Sequence, residues 1–173
     1  MRDRIWRTAA TVVVLSGVVV GCAGSGSDTP AVPPVPPIGD ARDAAGTDPC
    51  ALLAPEQLAA VGLAGGAAAS AAQEGPRCSW RGETGVLDVT LHTGDGLGTL
   101  AEHSEPTTTR VRLAGYPALE TFTGRGEFCQ YDVGIADRQV LMAALDGTTA
   151  DSCAVLQRVV PVLVGGLPAA EAR

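Results

Sequence analysis

The chain has 173 residues, 46% of them apolar and 18% charged, with a formal net charge of -7. Its basic residues are 12 Arg and no Lys, set against 19 acidic residues and gathered into no stripe, which excludes nucleic-acid binding by phosphate neutralisation. The absence of Asn and the abundance of Ala, Gly and Val point to a GC-rich genome such as an actinobacterium's, so alanine runs are not read as helix on composition alone.

The chain opens with Arg2, Arg4 and Arg7, followed by an apolar run from Ala9 to Val20. A membrane-spanning helix needs about 20 apolar residues, so the run is too short to span and reads as a signal sequence, residues 1–21. It ends in Val18-Val19-Val20-Gly21-Cys22, which resembles the bacterial lipobox. That resemblance implies a diacylglycerol thioether on Cys22, residue one of the mature chain. Removing residues 1–21 takes away three Arg and Asp3, a net +2, so the mature charge is -7 minus 2, or -9. An acidic protein gains no electrostatic help at an anionic bilayer, which leaves the anchoring to lipid. Residues 22–47 are rich in Gly, Ser and Pro and centre on Pro33-Pro34-Val35-Pro36-Pro37. They read as a disordered tether with a stiff polyproline II middle. A P-x-x-P ligand role for Pro34 to Pro37 is the weaker reading of the same residues.

Residues 48–168 read as one domain, with 169–173 as a tail. Pro55 suits the first turn of a helix that Gly62 ends. Gly65 to Ala72 fits a strand or a loop. Arg77 to Arg81 reads as a short strand, and Gly82-Glu83-Thr84-Gly85 as a turn. Val86 to Thr93 alternates, with Leu87, Val89 and Leu91 on one face and Asp88, Thr90 and His92 on a solvated one. Gly94-Asp95-Gly96-Leu97-Gly98 reads as a flexible turn into a helix over 98–104. Strands are expected at 107–113 and 118–123, separated by Gly115-Tyr116-Pro117. Another runs from Phe128 to Ala136 with Cys129, Tyr131, Val133 and Ile135 inward, and a last one over 139–145. A C-terminal helix begins near Asp151, with Thr149 or Asp151 as its cap, and Pro161 should kink or interrupt it. Strands joined by Gly-rich turns, with N-terminal, middle and C-terminal helices, make an α+β domain on an antiparallel sheet.

There are five cysteines. Giving Cys22 to lipid leaves Cys50, Cys78, Cys129 and Cys153, an even set suited to disulfides on the oxidising side of a membrane. Zinc sites bring cysteines in close pairs, and these stand too far apart for that. Cys50 and Cys153 open helices while Cys78 and Cys129 lie in strands. Pairing in sequence order, Cys50–Cys78 with Cys129–Cys153, is favoured, and Cys50–Cys153 with Cys78–Cys129 stays open.

Asp48-Pro49-Cys50 with Leu52-Leu53 and Pro55-Glu56, Cys78-Ser79-Trp80, a strand cysteine and a helix-opening cysteine, all behind a lipobox, resemble the actinobacterial lipoproteins catalogued as domain of unknown function 3558. The resemblance covers nearly the whole chain and implies location and fold, with no established activity. Ala54 departs from it, since Thr commonly precedes that Pro, and its absence removes a helix cap worth roughly 1 kcal/mol.

Catalytic candidates are few. His92 and His103, with Asp95, Glu102 and Glu105, form the one titratable cluster containing histidine, and a metal or general-base site there would need convergent ligands that the spacing does not supply. The 94–98 loop lacks the G-x-G-x-x-G spacing of a dinucleotide cradle. Ser79, Ser104 and Ser152 lie in no G-x-S-x-G. Trp80, Tyr116, Phe122, Phe128 and Tyr131 are expected in the core, with Trp80 or Tyr116 as the alternative rim of a pocket. The reading is a cell-membrane lipoprotein on the extracytoplasmic face, held by lipid on Cys22. It is expected to use no cofactor and no metal and to bind a small ligand or envelope protein as a non-enzymatic module. An accessory lipoprotein of a membrane complex is the alternative, and an envelope-polymer hydrolase the more distant one.

Overall fold

A computed structural model describes residues 36–105, 107–125, 127–148 and 151–171. The signal sequence, Cys22, most of the tether and the cap candidate Thr149 lie outside the described residues. One sheet of seven antiparallel strands organises the domain, in the order β1-β2-β3-β7-β6-β5-β4. The strands are β1 (Ala67–Ala72), β2 (Gly75–Gly82), β3 (Gly85–His92), β4 (Thr109–Leu113), β5 (Tyr116–Thr123), β6 (Phe128–Ala136) and β7 (Gln139–Gly147). The helices are α1 (Pro55–Ala59), α2 (Leu97–Glu102) and α3 (Ser152–Gly166), preceded by a 3-10 turn over Pro49–Ala51. This is the α+β, disulfide-stapled architecture that the strand and turn pattern implied.

The strand alternation gives the sheet two unlike faces. On one, Trp80, Leu87, Val89, Leu91, Tyr131, Val133, Leu141 and Leu145 are buried beneath α3, whose Val155, Leu156, Val159, Val160, Leu163 and Val164 pack on them. Fully burying each such aliphatic side chain is worth about 1.5–3 kcal/mol. Both disulfides tie elements to this face. Cys50–Cys78 fastens the 3-10 turn to β2, and Cys129–Cys153 fastens the start of α3 to β6. Beneath α3, Tyr131 donates its hydroxyl to Glu120 and accepts from Gln157 Nε2 at 3.0 Å. Burial first, and then the bond to Glu120, push its pKa up to about 12.

Among the described residues the opposite face carries α2, which seats Leu97, Leu100 and Ala101 on Leu119, Val140 and Met142. Gly134 admits this helix, since a Cβ there would meet Leu97 Cβ at 3.1 Å.

Several expectations change. Residues 41–44 belong to the fold and not to the tether, because Arg42 N–H bonds Ile135 O at 2.8 Å, Asp43 N–H bonds Pro168 O at 2.9 Å, and Ala44 is buried. Ala169 bridges Arg42, and Ala170 N–H bonds Ala41 O, so the first two tail residues belong to it too. Pro161 does not interrupt α3. It lies on the exposed side of the helix, as does Gln157, whose carbonyl its missing N–H leaves unbonded. Asp151 precedes that helix without a side-chain cap bond. At α1, Gln57 Oε1 accepts from Ala54 N–H at 2.8 Å, half of a capping box, and Ala54 offers no oxygen for the other half.

Candidate functional site

The face that α3 leaves open is crossed by two rows of polar side chains, set by strand register. One row runs Ser79, Asp88, Ala144, Gln130, Thr121, and the other Arg77, Thr90, Met142, Asp132, Leu119, Arg110. Side-chain bonds fix them: across strands Ser79 Oγ donates to Asp88 Oδ1 and Arg77 Nε to Thr90 Oγ1 at 3.1 Å, and along β6 Gln130 Nε2 donates to Asp132 Oδ1 at 2.8 Å. Ala144 stands between the longer Asp88 and Gln130, and its short side chain opens a recess of about 90 Å³ lined also by Arg77, Thr90 and Met142. The recess offers guanidinium N–H donors, carboxylate and amide acceptors, and an apolar floor of Ala144 and Met142.

Asp132 adjoins this recess on the same face and is 8% exposed. Gln130 is its one side-chain hydrogen-bond partner among the described residues. Burial raises its pKa from 3.8 to about 6, partly opposed by the Gln130 bond. An aspartate kept ionised at neutral pH in such a place is held against its solvation preference, a property that clusters at functional sites. Sequence reasoning passed over Asp132. The signal was present, since alternation that turns Tyr131 and Val133 inward turns Asp132 to the other face beside Leu119 and Met142.

A larger trough of about 660 Å³ lies where the terminal segments cross the end of the sheet, lined in part by Ile38, Asp43, Arg138, Gln139 and Pro168. Its polar groups hold the fold together: Gln139 spans Ala44 N–H and Asp43 Oδ1, and Arg138 donates twice to Gly94 O. The small recess, with its ready donors and acceptors, is the stronger candidate.

The histidine cluster does not converge. His92 Nε2 accepts from Asp95 N–H at 3.0 Å, with Asp95 Oδ2 at 3.6 Å, while His103 Nδ1 bonds the Thr99 carbonyl at 2.9 Å within its own helix. Among the described residues no group of three His, Cys, Asp or Glu is placed to hold a metal ion. The solvated reading of β3's polar face is also corrected. Thr90 is 4% exposed and the His92 side chain 12%, because β3 lies inside the sheet and its polar side chains are covered by those of β2 and β7. Nor is the 94–98 loop free. Arg138 grips Gly94 O, and a Cβ on Gly96 would collide with Asp137 O. Ser104 and Ser152 bond the carbonyls of Ala101 and Glu127. Trp80 is core, Tyr116 is buried with its hydroxyl on Asp40 O, and Phe122 is exposed.

The family model described as Protein of unknown function (DUF3558) matches residues 17–165, a span that takes in all seven strands and all five cysteines. The chain belongs to that family. No curated protein and no solved structure matches it. Membership in DUF3558 assigns no reaction, so the functional reading rests on the open face itself.

Proposed function

We propose that this protein is a lipid-anchored, extracytoplasmic binding module that presents the open face of its sheet to a small ligand or to a protein partner at the cell envelope. The observation that carries the reading is Asp132, a buried carboxylate beside a recess that offers both donors and acceptors. A buried, ionised aspartate weakens the fold, and binding is a reason to keep it there. The compartment is supported by the lipobox at Val18 to Cys22 and by two disulfides, which persist in oxidising surroundings. The non-enzymatic reading is supported by His92, His103, Ser104 and Ser152, which bond backbone groups rather than one another.

The test is mass spectrometry of what co-purifies from the native envelope with the wild-type chain and with Ala144→Leu, which fills the recess from a half-buried position. Loss of a bound species in the variant, at equal abundance and melting temperature, supports the reading. An unchanged bound set overturns the assignment of this face. Cys22→Ser should release the protein from membrane to medium, and continued membrane association in that variant would sink the anchor.

A further inference from the structure

The recess around Ala144 holds charges of both signs that the fold leaves unused. Arg77 reaches Thr90 through Nε alone, so the two terminal nitrogens of its guanidinium have no partner among the described residues. Ser79 occupies Oδ1 of Asp88 and leaves Oδ2 open. Gln130 gives its amide nitrogen to Asp132 and leaves its carbonyl oxygen open. Arg77 and Asp88 both line the recess, yet they form no ion pair with each other. Opposite charges that share one recess, and pair neither with each other nor with the fold, suit a ligand that carries both signs. Register sets the spacing. Asp88 on β3 and Gln130 on β6 stand on either side of Ala144 on β7. Two interstrand steps put their backbones about 10 Å apart, which leaves room above Ala144 for one small group between their oxygens.

We propose, resting on the reading of this face as a binding site, that the recess takes a small α-amino acid as its zwitterion, of the size of glycine or alanine. The ligand ammonium lies over Ala144 and donates to Asp88 Oδ2 and to the Gln130 carbonyl. The ligand carboxylate accepts from the terminal N–H groups of Arg77, whose fork matches a carboxylate in shape and charge. A hydrogen or methyl side chain meets Ala144 and Met142. The recess of about 90 Å³ equals about three waters' share of liquid volume, at roughly 30 Å³ each, which suits such a molecule and leaves no space for a large side chain inside it. Other ligand classes leave a charge unmet. An anion meets Arg77 and is repelled by Asp88 and, from the next position on the face, by Asp132. A cation leaves the Arg77 fork without an acceptor. An apolar molecule strips water from these groups and returns no hydrogen bond.

The experiment is isothermal titration of the full chain, purified in detergent micelles at neutral pH, with glycine and alanine. N-acetylalanine, which has no ammonium, and alaninamide, which has no carboxylate, are titrated alongside. Glycine and alanine are expected to bind, and each blocked form to bind about tenfold more weakly or worse, because it leaves one side of the recess unpaired. Asp88→Asn keeps an oxygen for Ser79 and should bring alanine down to the level of N-acetylalanine, while Arg77→Gln should bring it down to that of alaninamide, each at an unchanged melting temperature. The blocked forms are compared on the wild-type chain, so they decide the matter even where a variant fails to fold. No binding of glycine or alanine, blocked forms as tight as alanine, or folded variants that bind alanine as the wild type does would each overturn the proposal. If glycine and alanine fail to bind while Ala144→Leu loses some other co-purifying species, the amino-acid assignment falls and the reading of the open face stands.

Discussion

Replacing Asp132 with Asn tests the electrostatic character of the open face directly. Burial raises the Asp132 pKa from 3.8 to about 6, a shift of about two pKa units. At about 1.4 kcal/mol per unit, the ionised carboxylate weakens the fold by about 3 kcal/mol, an upper value. The sign follows from the folded pKa lying above the unfolded one. Below about pH 4 the group is protonated in both states and carries no penalty. Between about pH 4 and 6 the unfolded chain ionises while the fold retains its proton, so stability falls as pH rises. Above about pH 6 the penalty is complete. Asn keeps the oxygen that accepts from Gln130 and cannot ionise. Asp132→Asn should therefore raise stability by up to about 3 kcal/mol at pH 7.5 and change it by less than about 0.5 kcal/mol at pH 4. Urea unfolding at the two pH values, followed by fluorescence of the buried Trp80, measures both numbers. Every other titratable group is common to the two proteins, so the difference isolates Asp132. An equal change at both pH values, or a less stable variant at pH 7.5, would refute the reasoning.

Three further outcomes are expected. Ala114 has φ of 52° ahead of Gly115 at 87°, in the β4–β5 hairpin loop. The left-handed region disfavours an L-residue by about 1–2 kcal/mol, so Ala114→Gly should stabilise by about 0.5–1 kcal/mol after the added unfolded-state entropy, read as a higher urea midpoint. Proline inside a helix is about 3 kcal/mol worse than alanine, and exposed Pro161 makes no core contact to offset this, so Pro161→Ala should raise the thermal midpoint by the equivalent of about 1–3 kcal/mol. The double change Cys129→Ala with Cys153→Ala opens a crosslink of sequence separation 24 and should cost roughly 3–4 kcal/mol in the chain-entropy model, measured by the same urea assay.

Much of the fold was readable because side-chain alternation is strict wherever one face of a strand is packed. Leu87, Val89 and Leu91 announced β3, and Cys129, Tyr131, Val133 and Ile135 announced β6, with all seven buried as the pattern required. The cysteines were readable in number, and the favoured sequence-order pairing is the one the structure has, although the sequence left Cys50–Cys153 with Cys78–Cys129 open. β1 was ambiguous for a physical reason: alanine gives no contrast between faces, and an edge strand exposed on both sides needs none. Pro161 misled because its effect on a helix depends on which side it occupies, and the run Val155 to Val164 did not by itself place it on the exposed one.

The site was harder to read for a related reason. Alternation marks which residues leave the core face, and it says nothing about whether the other face is wet. Thr90 and Asp132 both alternate away from the core, yet both are buried, Thr90 beside Arg77 and Met142 and Asp132 beside Met142 and Leu119. That burial requires a sheet wide enough for interior strands to be shielded by their neighbours, and a helix held down on one end. Gly134 bears on the second condition, since a Cβ there would stand 3.1 Å from Leu97 Cβ, tighter than ordinary contact. The carboxylate's raised pKa comes from burial, and the register sets Asp132 between Met142 and Leu119 inside the sheet. The residue that looks most functional became visible only once the seven strands were put in order.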